Sequence, residues 1–153
     1  METVIKDLSQ TKSDFKVLQK GDLVQSLSKT GTVFHYIALS YTSQKIFLHA
    51  WEGYRSNEQF KEVLSGHFLD LLKKHKCPYM LTDISKMTGT FADSNDWLAT
   101  VFTPQLISLG VTKHAVVLPS NIFAELSAKD WETKIQGFTT HNFNNRETAL
   151  KWF

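Results

Sequence analysis

The run Tyr79-Met80-Leu81-Thr82-Asp83-Ile84 is apolar at almost every position and passes into a polar loop holding Gly89, Asp93, Ser94 and Asn95. An amphipathic segment opened by Trp97-Leu98 follows. Strand, loop and helix is the physical reading. In open α/β sheets, ligands and regulatory chemistry collect at the carboxyl ends of strands and at the amino ends of the helices that follow. A site is therefore expected in the loop from Ser85 to Asp96.

The segment before this unit is the clearest helix. Phe60, Val63, Leu64, His67, Phe68, Leu71 and Leu72 fall at offsets 0, 3, 4, 7, 8, 11 and 12, one continuous stripe between Ser56 and Lys76. Ser56 with Gln59 matches a capping box. Lys73-Lys74-His75-Lys76 suits the negative end of the helix dipole, and Pro78 stops the helix. Upstream, Val33-Phe34-His35-Tyr36-Ile37 and Ile46-Phe47-Leu48-His49-Ala50-Trp51 flank the polar Thr42-Ser43-Gln44-Lys45, which reads as a β-hairpin.

Downstream, Trp97, Leu98, Val101, Phe102, Leu106 and Leu109 approximate a helical face that Pro104 should kink or split, with Gly110 as its carboxyl cap. His114 to Leu118 reads as a buried strand, Ile122 to Ile135 as a helix and Phe138 to Phe143 as a last strand. Asn144 with Glu147 offers a cap for a terminal helix carrying Ala149, Leu150 and Phe153. This alternation implies an α/β fold with a mostly parallel sheet and right-handed crossovers. Residues 1–31 yield no firm element. Phe15 to Leu18 and Leu23 to Leu27 around Gly21-Asp22 permit a short hairpin, and the Leu23/Leu27 spacing also permits a helical turn.

Composition bounds the function classes. The chain has 153 residues, 42% of them hydrophobic, which suits one domain with a substantial core. A net charge of +2 gives no nucleic-acid footprint and no polybasic membrane anchor. Cys77 is the single cysteine, which suits a reducing compartment, and no stretch reads as a signal peptide or membrane span. The expectation is a cytoplasmic protein.

Several landmarks together carry a resemblance: Trp51-Glu52-Gly53, the amphipathic helix, and Leu81 and Asp83 with Met87. Asp96-Trp97-Leu98, Gly110, Ala115-Val116-Val117-Leu118-Pro119, Ile122-Phe123 and the closing Ala149-Leu150-Lys151-Trp152-Phe153 follow in order. Over residues 32–153 the chain resembles the small STAS-like (SpoIIAA-like) proteins common in Bacteroidetes, with residues 1–31 as an amino-terminal extension. The resemblance implies a mixed β-sheet opened by a β-hairpin, with packed helices, used for regulation or ligand sensing. In anti-sigma-factor antagonists of that superfamily a serine in an Asp-Ser-Ser-Gly motif is phosphorylated to break a partner contact. Asp93-Ser94-Asn95 resembles the equivalent place, without the second serine and the glycine.

Ser94 thus has two readings, a helix cap worth about 1 kcal/mol and a phosphoacceptor whose added charge suits a helix amino end. Asp83 is read as the acceptor that anchors a loop, or as a base paired with Asp93 or Asp96. Trp51, beside Gly53 and Tyr54, is the tryptophan best placed for a pocket or interface, whereas Trp97 heads a core stripe. The six histidines form no HExxH pattern, and no phosphate loop or Gly-x-Ser-x-Gly elbow is present, so no metal, cofactor or catalytic set is expected. The first expectation is a non-enzymatic regulatory module that acts on a protein partner, with a homodimer among the expected assemblies. The alternative is a binder of a small apolar ligand held between sheet and helices.

Overall fold

The computed structural model describes residues 2–118 and 139–153. The expected helix from Ile122 to Ile135 lies outside the described residues. The strands are β1 (Glu2–Asp7), β2 (Phe15–Lys20), β3 (Leu23–Ser28), β4 (Val33–Ala38), β5 (Ile46–Gly53), β6 (Tyr79–Met87), β7 (Lys113–Val117) and β8 (Thr139–Phe143). They form one mixed sheet of eight strands whose spatial order is their chain order. Strands β1 to β5 run antiparallel to their neighbours, and β5 to β8 run parallel.

The mostly parallel sheet expected from the alternation is thus only half of the structure, because residues 2–28 add three strands to the same sheet. Phe15, Val17 and Val24, from the stretch that yielded no firm element, are fully buried in its main core. The hairpin around Gly21 and the second one, β4 with β5, both form. Gly21 sits at φ +60°, where a side chain is disfavoured, so glycine suits that tight turn.

Between β5 and β6 lie α1 (Asn57–Val63) and α2 (Leu69–His75). Ser56 and Gln59 form the expected reciprocal capping box. The stripe is not one regular helix, however: Leu64–Phe68 is a wide π turn, and Gly66 leaves helical geometry at φ −102° and ψ −115°. Between β6 and β7 lie α3 (Asn95–Trp97), a second π turn at Leu98–Phe102 and α4 (Thr103–Ser108). The segment is widened rather than broken around Pro104, which sits in the first turn of α4 directly after the π turn, while Phe102 and Thr103 before it keep right-handed helical geometry.

These helices cover one face of the sheet, where Phe60, Leu64, Phe68, Leu98 and Phe102 pack against Phe47, Trp51, Met80 and Ile84. The terminal helix α5 (Arg146–Trp152) covers the opposite face through Ala149, against Leu48, Leu81, Ala115 and Val117. Its cap is Asn145, whose side chain accepts from the Thr148 amide at 2.8 Å, one residue later than the expected Asn144. With a layer on each side, β5, β6 and β7 are buried at nearly every position, which is why their sequences run apolar without alternation.

Candidate functional site

Strand periodicity sends His49 and Trp51 of β5, Thr82 and Ile84 of β6, and His114 and Val116 of β7 toward the helices. His49 lies opposite Thr82 in the parallel register, and His35 of β4 lies opposite Trp51. The result is a buried polar chain across four strands. His35 Nε2 meets His49 Nδ1 at 2.9 Å, His49 Nε2 meets Thr82 Oγ1 at 2.7 Å, and Thr82 Oγ1 meets His114 Nε2 at 2.8 Å. Each neutral imidazole carries one N–H, so His49 donates through one ring nitrogen and accepts through the other, while the Thr82 hydroxyl either relays between His49 and His114 or accepts from both. His67, from the first π turn, brings its ring centre to 6.3 Å from that of His35, and neither of its nitrogens has a partner.

Burial holds all four rings neutral. Desolvation, followed by the repulsion of neighbouring histidines, pushes His35 and His49 well below the usual imidazole range. Desolvation lowers His67 to about 4 and His114 to about 3.

A cavity of about 20 Å³ lies against this chain, between sheet and helices. Its floor includes His49, Trp51 and Thr82, and its roof includes Leu64 from the first π turn and Leu98 and Phe102 from the second. Phe60 and Phe91 form a side wall, with rings stacked 5.7 Å apart, and Trp51 stacks on Phe60 at 4.7 Å. The cavity is large enough for one water-sized occupant.

Arg55 stands beside that wall, 4% exposed, just before the Ser56 cap. Its Nη1 donates to the Thr88 carbonyl at 3.0 Å and its Nη2 to the Thr90 carbonyl at 2.7 Å, so it straps the loop after β6 to the start of α1. The guanidinium carbon lies 5.8 Å from the centre of the Phe60 ring. Burial lowers its pKa to about 10.

Asp83 faces the other way, toward α5. Its Oδ1 accepts from the Ser85 amide at 2.9 Å and the Ser85 hydroxyl at 2.6 Å, which is the loop-anchoring geometry. Its Oδ2 pairs with Arg146, whose Nη2 lies 2.8 Å away and also donates to the Tyr36 hydroxyl at 2.7 Å. Burial works against the Arg146 charge, but the Tyr36 hydroxyl and the Asp83 carboxylate outweigh it and raise its pKa.

Asp93 and Asp96 are exposed on the turn into α3, whereas the Asp83 carboxylate is engaged under α5, and no described bond joins them. Ser94 is fully buried, and its hydroxyl points to Asn57 Oδ1 at 3.4 Å. The cap expected of Ser94 does not form, because its side chain makes no bond to the first turn of α3. Trp51 is 2% exposed and lines the cavity. Arg55, Arg146, Tyr36 and Thr82 were not singled out from sequence. The period-two placement of His49, Thr82 and His114 was visible there, but the register that joins them was not.

No family model, curated protein or solved structure matches the chain. Among the described residues no group of three or more His, Cys, Asp or Glu side chains is arranged to hold a metal ion. No helix of the described residues is long and apolar enough to cross a membrane.

Proposed function

We propose that the chain is a STAS-like, non-enzymatic sensing module that holds a small, largely apolar ligand between its sheet and its helices. The observation that carries this reading is the cavity itself, roofed by both π turns and floored by Trp51, His49 and Thr82. Wide turns of this kind recur at functional sites. A ligand larger than water requires that the roof of Leu64, Leu98 and Phe102 give way. The eight-stranded sheet is larger than a STAS domain usually carries, so the likeness concerns the layered α/β plan.

Acid/base catalysis is disfavoured by the same geometry, since His35, His49 and His114 are at most 2% exposed. A phosphorylation-controlled partner contact is the other reading of the loop from Ser85 to Asp96. It requires that the buried Ser94 hydroxyl first be released from Asn57, which the pocket reading does not need.

Thermal unfolding in the presence of indole and naphthalene tests the pocket. A saturable rise in Tm is expected for the full-length chain, and it should vanish in Leu98→Trp, whose larger ring fills the cavity. Unchanged melting with every apolar probe, together with a bare chain in native mass spectra of protein from its own host, would rule the pocket out.

A further inference from the structure

The chain has two arginines, and they are balanced differently. Arg146 is about a third exposed and is paired with the Asp83 carboxylate. Arg55 is more deeply buried, yet none of the described ion pairs includes it. Two carbonyl oxygens of the loop accept from its Nη groups, which leaves its Nε–H with no partner and its charge with no counter-ion. A guanidinium offers five N–H donors, and a buried cation is strongly penalised unless an anion meets it. Arg55 does not itself line the cavity, but the ring it lies against does: the Phe60 ring centre is 5.8 Å from the guanidinium carbon, and Phe91 and Trp51, both lining residues, stack on Phe60. The Thr88-Gly89-Thr90 segment that Arg55 straps is exposed, and a Cβ on Gly89 would stand 3.9 Å from Nη1 of Arg55.

We propose that Arg55 is the head-group receptor of the ligand site and that the ligand is a small amphipathic carboxylate. Its carboxylate meets the Arg55 guanidinium, and its apolar body lies among Phe60, Phe91 and Trp51. The assignment rests on the pocket reading above and adds the charge of the ligand to it. A carboxylate matches the planar donors of arginine better than a neutral amide does, because the amide supplies one acceptor and no charge.

Calorimetric titration of the full-length chain at neutral pH, with phenylacetate against phenylacetamide and octanoate against octanamide, separates the two claims. Each acid is expected to bind roughly tenfold or more tightly than its amide, and the preference should disappear in Arg55→Met while amide binding persists. The Arg55 Nε–H resonance of the unaltered chain should move during the acid titration, a readout that stands even where Arg55→Met fails to fold. Equal affinity for acid and amide, or a stationary Nε–H signal, would overturn the role of Arg55 and leave the pocket in place. Absence of binding by both members of both pairs, with indole and naphthalene also inert, would overturn the two together.

Discussion

At the residue scale, the buried chain His35, His49, Thr82 and His114 concentrates polar chemistry inside an otherwise apolar layer. Thr82 is its hinge, because one hydroxyl serves two imidazoles, at 2.7 Å and 2.8 Å. Valine matches threonine in shape but offers neither donor nor acceptor, so Thr82→Val leaves both Nε2 atoms without this partner. A loss of roughly 1–3 kcal/mol is expected, read from the urea midpoint, since orphaned buried groups keep their full desolvation penalty. An unchanged midpoint would mean that the chain contributes nothing to stability. Arg55 and Arg146 are met differently, one by two loop carbonyls that leave its Nε–H without a partner and the other by a carboxylate and a phenol.

At the element scale, local signals and tertiary geometry divide the work. The Ser56/Gln59 box, the carboxyl-end lysines and the apolar stripe fixed where the first long helical segment begins and ends, because those interactions act within a turn or two. They did not reveal the π turn at Leu64–Phe68, since a stripe read at helical spacing is barely altered by one widened turn. Pro104 illustrates the converse. A proline in a helix interior costs about 3 kcal/mol, but here it follows a π turn in which the Thr103 amide already reaches back five residues to the Leu98 carbonyl, so the ladder is widened where the ring enters. Pro104→Ala is therefore expected to change stability by less than about 1 kcal/mol. Equilibrium denaturation checks this, and a gain of several kcal/mol would show that the proline strains the segment.

At the scale of the whole molecule, four neutral buried histidines make stability depend on pH. In the unfolded chain an imidazole titrates near 6.5, whereas in the folded protein His67 is lowered to about 4, His114 to about 3, and His35 and His49 well below their ordinary value. Between those limits the unfolded chain binds more protons than the folded one, so stability falls as pH falls and is insensitive to these groups above about 7. Each histidine contributes a slope of up to about 1.4 kcal/mol per pH unit. The urea midpoint should be flat from about pH 8 to 7 and drop steeply between about 6.5 and 5. A flat profile through that window would show that these rings titrate normally in the folded state.

What the sequence alone determined are the features that depend on neighbours along the chain: the hairpin of β4 and β5, the capping box, the glycine after α4 and the apolar runs of β5, β6 and β7. The sequence offers Trp51 as a pocket or interface candidate and Asp83 as a loop anchor or base; in the structure Trp51 lines the cavity and Asp83 accepts from Ser85. The tertiary structure decided that residues 2–28 extend the sheet, because short exposed strands such as β1 carry little internal pattern and gain their order from pairing. It decided as well that His35, His49, Thr82 and His114 meet, that Arg146 reaches Asp83, and that Arg55 closes over Phe60 beneath the loop. Such contacts join positions tens of residues apart. Strand register and helix docking set them, and those depend on how the whole core packs rather than on any local run of residues.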